Sequence, residues 1–277
     1  MGKIRILYVA SEIAPFLQTS SVGSFTRQIS EAMQERGMEI RILAPRFGTI
    51  NERRNKLHEV VRLSGINISI GDDEKPLVIK VASIPNSKLQ VYFIDNEDYF
   101  SRKAVFYDEQ QNFFQDNDER AIFFCKGVLE TVRKLGWSPN IIHCHDWMTS
   151  IIPLYIRSTY HHDPVFRNTK TIFSLYNTAF PHLFSANLIE KIKTNDITSE
   201  ILEPLTSLDY EGFIKLGLKY ADLSILSTCL HEQEDMKTRI NAYAQIHNLN
   251  YLSLEQNENP AEVLYNLYHE LQSVPVA

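Results

Sequence analysis

The chain has 277 residues, of which 44% are hydrophobic, and its formal charge is −6 at pH 7. This length can bury one large core or two modest ones, and the negative charge argues against a broad nucleic-acid-binding face. The sequence has no apolar run of the ~18 residues that a membrane-spanning helix needs, and it does not open with a signal-peptide pattern, so we expect no membrane contact and a cytoplasmic location.

Three cysteines, Cys125, Cys144 and Cys229, are scattered along the chain. This spacing matches neither a disulfide framework nor a zinc site, so we expect buried thiols in a reducing compartment. The sequence also has no Walker loop and no G-x-G-x-x-G motif, which argues against an ATPase or a dinucleotide-binding protein. We therefore predict no metal and no cofactor.

The first forty-odd residues predict a β-α-β unit. Residues 4–10 form an apolar run typical of a buried parallel strand, and residues 11–23 read as a loop in which Gly23 permits a tight bend. A helix is predicted over residues 24–36 and a second strand over 40–44. In open α/β sheets, ligands bind beside such a first loop, at the carboxyl end of the strand.

The middle of the chain predicts an antiparallel excursion at one edge of the sheet, with strands over residues 60–70, 77–84 and 89–94 separated by turn clusters. Residues 103–115 read as a surface loop. Asp116 and Glu119 have the spacing of a capping box at the start of a helix that ends before Gly136.

The next apolar strand ends in His143, Cys144, His145 and Asp146. We expect the two histidine side chains to leave opposite faces of the strand, which would make them a poor chelating pair. Each histidine, taken alone, is typical of a hydrogen-bonded core residue. Asp146 has two open interpretations, a cap for a helix over residues 149–160 or a group that faces a ligand.

The remaining residues predict one more β-α-β alternation and two terminal helices. Strands are expected over residues 170–175 and 221–228, and helices over 212–220, 229–247 and 260–272. The whole pattern predicts one three-layer, Rossmann-like α/β domain over residues 1–277 with a mainly parallel central sheet.

Several segments, in this order, resemble bacterial glycogen synthases and plant starch synthases. The segments are Y-V-A-S-E-I-A-P-F (8–16), V-Y-F-I-D-N-E-D-Y-F-S-R (91–102), D-N-D-E-R (116–120), P-N-I-I-H-C-H-D-W-M-T (139–149), Y-N-T-A-F (176–180) and A-D-L-S-I-L-S-T (221–228). The resemblance implies the amino-terminal half of a retaining GT-B glycosyltransferase that uses ADP-glucose, without the second GT-B domain.

The resemblance also implies the site residues. Its catalytic candidates are Asp146, Tyr176, which replaces a family histidine, and Asn177. Its substrate-binding candidates are Glu12, Gln18, Thr19, Ser20, Ser21, Gly23, His145 and Trp147. Gln18 replaces the lysine of the family's K-T-G-G loop, and Ser20 and Ser21 replace its two glycines, whose amides can approach a phosphate closely.

These departures predict a protein of the glucosyltransferase family that is inactive as an isolated chain, with α-1,4-glucan or ADP-glucose as weak ligands. One alternative is a glucan-binding or regulatory module in which Phe16, Trp147, Tyr176 and Phe180 stack on sugars, although each is equally typical of a core. Another is an interaction protein that associates with itself or a partner through the cleft rim, unless the last helix covers that rim.

Overall fold

The computed structural model describes residues 2–226, 234–254 and 259–273. The strands are β1 (Arg5–Ala10), β2 (Glu39–Pro45), β3 (His58–Glu59), β4 (Ile66–Ile70), β5 (Asp73–Ser83), β6 (Gln90–Asp95), β7 (Ile141–His145), β8 (Lys170–Leu175), β9 (Leu223–Leu226) and β10 (Tyr251–Ser253). The α-helices are α1 (Ser21–Glu35), α2 (Glu97–Phe100), α3 (Asn117–Leu135), α4 (Ile151–Arg157), α5 (Leu188–Ile192), α6 (Tyr210–Tyr220), α7 (Glu234–Ile246) and α8 (Pro260–Ser273). Short 3-10 helices cover Trp147–Thr149 and Glu203–Thr206.

One mainly parallel sheet organises the described residues, in the order β10-β9-β8-β7-β1-β2-β6-β5-β3. The strands from β10 to β6 are parallel, whereas β5 runs antiparallel to β6, β3 and β4 at one edge. The predicted edge excursion is therefore confirmed. Its first strand starts later than predicted, at Ile66, because Gly65 has φ +81°, a conformation that ends a strand.

Helices cover both faces of the sheet, so the α/β fold class is confirmed. Helices α3, α4 and α6 pack on one face, against alternate strand residues such as Leu7, Val9 and Ile142. Helices α1 and α8 pack on the other, against Ile6, Tyr8 and Ile42. Among the helices of the described residues, none has both the length and the hydropathy to cross a membrane.

The sheet extends one strand beyond the predicted final strand. β10 pairs with β9 in parallel, and α7 connects them. The prediction missed β10 because its three residues contain a single aliphatic side chain, Leu252. Predicted residues 227–228 of the preceding strand, residues 229–233 of the following helix and Cys229 lie outside the described residues, whereas Cys125 and Cys144 are buried thiols.

The capping box at the start of α3 is wrong, although the helix begins at the expected place. The Asp116 side chain makes no capping hydrogen bond and instead pairs with the guanidinium of Arg102. The carboxylate of Glu119 binds the ammonium of Lys191 at 2.8 Å and accepts from the Tyr99 hydroxyl at 3.0 Å. Both carboxylates therefore fix neighbouring segments rather than the helix end.

The segment over residues 103–115 is attached to the core rather than being a simple surface loop. The Arg120 guanidinium is fully buried and donates to the carbonyl oxygens of Tyr99 at 2.8 Å and Val105 at 2.6 Å. Phe113 is buried and stacks on Phe180, with 4.6 Å between ring centroids. Spacing alone does not show such long-range attachments.

Helix α8 lies beside α1 on the sheet face, close to the amino-terminal ends of the strands. The guanidinium of Arg36, at the end of α1, bonds the Glu262 carboxylate at 2.8 Å, and Gln272 bonds the carbonyl of Asn140 at 3.4 Å. The carboxyl ends of the strands lie at the other edge, so α8 does not cover the cleft rim. Association through the rim stays a prediction.

Tyr268 connects α8 to the polar centre of this face. Its hydroxyl lies 2.7 Å from Nδ1 of His143 and 3.1 Å from the hydroxyl of Tyr8, and all three side chains are fully buried. Because a buried polar group that loses its partner keeps its desolvation cost, this hydroxyl stabilises two groups on two strands.

We therefore expect Tyr268→Phe to lower the free energy of unfolding by about 1–3 kcal/mol, since it leaves His143 and Tyr8 without this partner. Urea denaturation of both proteins measures the difference. The matched control is Tyr251→Phe, which removes a hydroxyl from a tyrosine that is 39% exposed and should change stability by less than about 0.5 kcal/mol. Equal effects of the two substitutions would contradict the role assigned to this hydroxyl.

Candidate functional site

Three loops meet at the carboxyl edge of the sheet, where they follow β1, β7 and β8. The carboxylate of Asp146, directly after β7, accepts hydrogen bonds from the Ser11 hydroxyl at 3.2 Å and from the Thr178 hydroxyl. The Tyr210 hydroxyl lies 3.3 Å from that of Thr178 and donates to the carbonyl of Tyr176 at 3.0 Å. Strands that run in parallel end at one edge, which brings these polar groups together.

Asp146 is a buried acid at this edge. It is 2% exposed, and burial raises its pKa to about 6 although hydroxyl donors and the Trp147 amide act in the opposite direction. Its φ of +74° is uncommon for a residue with a Cβ, and such conformations cluster at functional sites. The helix-cap alternative is not supported, because its carboxylate makes no capping bond and the next helix divides into the 3-10 turn and α4, which ends at Arg157.

The raised pKa of Asp146 gives a prediction about pH. A folded pKa of about 6, above the ordinary 3.8, stabilises the fold below pH 3.8, and this contribution disappears as the pH rises through 6. The full difference is roughly 3 kcal/mol, about 2 kcal/mol of it between pH 4.5 and 7.5. Compared with Asp146→Asn, the unmodified chain should therefore lose about 2 kcal/mol over that range in urea denaturation.

Asp108→Asn is the control for this measurement. Asp108 is half-buried, and hydrogen bonds from Asn112 lower its pKa, so its contribution to stability is lost as the pH falls rather than as it rises. A difference between the unmodified chain and Asp146→Asn that does not change with pH would show that Asp146 titrates as an ordinary carboxylic acid.

The prediction for the two histidines is wrong. The rings of His143 and His145 stack on the same face of β7, with 4.1 Å between centroids, because residues two apart in a strand share a face. Both are fully buried, and burial lowers the pKa of His145 to about 3 and that of His143 well below its usual value. The geometric argument against a chelating pair therefore fails. Among the described residues, no set of three histidine, cysteine or acidic side chains could hold an ion.

The loop after β1 is closed around the carboxylate of Glu12. This side chain is 3% exposed and accepts from the amides of Thr19 at 2.5 Å, Ser20 at 2.9 Å and Gly23 at 3.2 Å, and from the hydroxyls of Thr19 and Ser20. Gln18 is exposed beside it. Glu12 therefore binds amides at the start of α1, where the resemblance expects a phosphate.

Helix α1 begins at Ser21, three residues earlier than predicted, because the Ser20 hydroxyl accepts from the Val22 amide at 3.1 Å and caps the helix. Gly23 lies in the first helical turn and does not form a bend. A Cβ at Gly23 would lie 2.9 Å from the carbonyl oxygen of Leu17, so glycine is needed for close packing of the loop.

The aromatic candidates are buried. Trp147 is 1% exposed and packs among the rings of Phe106, Phe180, Phe184 and Phe213. Tyr176, also 1% exposed, places its hydroxyl 2.7 Å from Nδ1 of His145 and its ring against Phe25. Asn177 follows it and is half-buried.

Sequence reasoning missed Ser11, Thr178 and Tyr210, the hydroxyl groups around Asp146. Ser11 and Thr178 could have been found by the same rule that selected Asp146, because each follows the carboxyl end of an apolar strand. Tyr210 could not, because it begins a helix 32 residues after Thr178 and reaches the site only through the fold.

A family model described as "Starch synthase catalytic domain" matches residues 5–228, more than half of the chain. The chain belongs to this family. It is 36% identical over 237 residues to a glycogen synthase of Chlorobium luteolum, covering 85% of this chain and 48% of the relative. A glycogen synthase of Chlorobium limicola is 35% identical over 231 residues, with 83% and 47% covered. The chain thus spans about half the length of these relatives.

The fold is similar to that of a solved starch synthase. The catalytic domain of starch synthase IV from Arabidopsis thaliana, bound to ADP and acarbose, superposes with a TM-score of 0.74 at 17% identity. The match covers 91% of this chain and 51% of that one. The family resemblance inferred from the sequence motifs is confirmed, and the fold is that of about half of a GT-B enzyme.

Proposed function

We propose that residues 1–277 supply one half of a glucosyltransferase that moves glucose from ADP-glucose to an α-1,4-glucan, and that this chain alone does not catalyse the transfer. The observation that carries the second statement is the Ser20 hydroxyl, which accepts from the Val22 amide at 3.1 Å at a loop position where the family has glycine. We also propose the cytoplasm as its location.

The closed loop after β1 leaves few free backbone amides to bind a diphosphate. Glu12 and the Ser20 hydroxyl together take the amides of Thr19, Ser20, Val22 and Gly23. A helix start attracts anions through free amides and positive potential. In this chain the Ser20 hydroxyl, at a family glycine position, takes one amide beyond those that bond Glu12. Gln18 adds no positive charge, so a diphosphate would meet the Glu12 carboxylate without the charge of the family's lysine.

Tyr176 and Asp146 support the same conclusion. Tyr176 stands where the family has a histidine, and its hydroxyl is already bonded to His145 inside the core. Asp146 is held by two hydroxyl groups and is 2% exposed. Both side chains lie at the cleft edge, but their buried hydrogen bonds favour a structural role over contact with a sugar. The buried aromatic rings give no specific support to the glucan-binding alternative.

Titration calorimetry with ADP tests this proposal. We expect the unmodified chain to bind ADP more weakly than about 1 mM, and Gln18→Lys/Ser20→Gly/Ser21→Gly to bind at least about tenfold more tightly, because it adds a cation and frees the Val22 amide. The matched control is Gln28→Lys, which adds the same charge to an exposed position of α1. Micromolar binding by the unmodified chain, or equal gains in both variants, would contradict the proposal.

A further inference from the structure

A cavity opens at the edge of the sheet opposite Asp146, beside the amino-terminal ends of β8 and β9. Its volume is about 280 Å³, and its floor contains the buried side chains of Ile156 and Phe166. Its polar walls carry Arg157, Arg167, Lys170, His161 and Asp222. Three cations face one carboxylate here, although the whole chain has a charge of −6. The cavity is therefore a local positive region on an acidic protein.

Asp222 neutralises only part of this charge because the fold uses one of its oxygens elsewhere. Oδ2 accepts from the amide of Thr171 at 2.7 Å and from its hydroxyl at 3.0 Å. Oδ1 lies 3.3 Å from the guanidinium of Arg157 and 3.7 Å from the ammonium of Lys170. The carboxylate thus orders the two cations without filling the cavity.

Lys170 is the residue that points most strongly to a ligand. Its side chain is only 13% exposed, and 3.7 Å to Asp222 is longer than an N–H···O hydrogen bond. An ammonium with this little solvent is stabilised by a close anionic acceptor. The neighbouring guanidinium of Arg157 is oriented in advance, because its Nε donates to the carbonyl of Tyr220 at 2.6 Å.

We propose that this cavity binds the dianionic phosphate group of inorganic phosphate or of a small phosphate monoester. Lys170 supplies a compact charge, and Arg157 and Arg167 supply planar donors suited to phosphate oxygens. The cavity volume accommodates a phosphate with a short organic group over the apolar floor. The site is separate from the cleft edge, so it does not depend on the proposed glucosyltransferase function.

Titration calorimetry of the full chain tests the proposal with two probes, inorganic phosphate and glycerol 3-phosphate. We expect saturable one-to-one binding that weakens as salt is added, and a loss of at least about tenfold in Arg167→Gln and in Lys170→Gln. Lys193→Gln is the matched control, because Lys193 lies at the end of α5, pairs with Glu190 of that helix and does not line the cavity. It should bind as the unmodified chain does.

The two probes distinguish the sources of the phosphate. Tighter binding of glycerol 3-phosphate supports a monoester that uses the apolar floor, and equal or weaker binding supports the free ion. Lys170→Gln could alter β8 locally, and the exposed Arg167 provides the variant whose folding is independent of the result. Absence of saturable binding for both probes at about 10 mM, or unchanged binding in Arg167→Gln, would overturn the proposal.

Discussion

A chain that ends after Leu254, and therefore lacks α8, is expected to lose its cooperative fold. Leu264 and Tyr268 of α8 are both fully buried against the sheet. Burying each side chain contributes about 1.5–3 kcal/mol, and the exposed partners of Tyr268 add about 1–3 kcal/mol each when they lose their hydrogen bonds. The loss approaches the ~5–15 kcal/mol that stabilises a typical domain.

The truncated chain should show a reduced or absent thermal transition and should aggregate through the uncovered sheet face. Leu264→Ala provides a graded version, with an expected loss of about 2–5 kcal/mol in urea denaturation. The control Leu183→Ala changes a leucine that is 74% exposed and should cost less than about 0.5 kcal/mol. A truncated chain with an unchanged melting temperature would show that α8 is an appendage rather than part of the domain.

Helix α8 shows which features of the fold a sequence pattern predicts and which it does not. Its helical period and its proline at the first position predicted the helix correctly, since both are local features. The contact of Tyr268 with His143 joins residues 125 positions apart, and spacing carries no record of such a pair. The same limit explains why the attachment of Arg120 to the segment over residues 103–115 was missed.

The candidate site was predictable to a similar degree. The three loops lie together because each follows an apolar parallel strand, and such strands end at one edge, which is a rule that can be applied to sequence alone. The bonding of Glu12 to the start of α1 was not predictable, because Ser20 is equally typical of a loop and of a helix cap. The wrong faces for His143 and His145 came from misapplying the two-residue period of a strand, not from missing information.

The second large effect concerns repair of the family motifs. The variant Gln18→Lys/Ser20→Gly/Ser21→Gly/Tyr176→His is expected to remain inactive as an isolated chain, although it restores the family's residues at four positions. Each preorganised stabilising group is worth about 3–4 kcal/mol of barrier, roughly a hundred- to thousand-fold in rate. The chain covers only 48% of an aligned relative, so the repaired loop alone would leave the donor exposed to water.

Fusing the chain to the remaining half of the Chlorobium luteolum glycogen synthase separates the two contributions. We expect transfer from ADP-glucose by the fusion that carries the four substitutions. The fusion with the original residues should transfer glucose at least about a thousand-fold more slowly. Equal rates in the two fusions would show that Gln18, Ser20, Ser21 and Tyr176 do not limit the reaction. Activity in the repaired but unfused chain would show that this half suffices.

The most direct test of the central proposal is transfer of radiolabelled glucose from ADP-glucose to glycogen by the purified, unmodified 277-residue chain. Asp146→Asn, purified in the same way, measures the background from contaminating enzymes, and the Chlorobium luteolum glycogen synthase shows that the assay works. The proposal predicts that the unmodified chain and Asp146→Asn incorporate label at the same background rate. Incorporation by the unmodified chain that is clearly above that of Asp146→Asn would contradict it and would make this chain an active glucosyltransferase by itself.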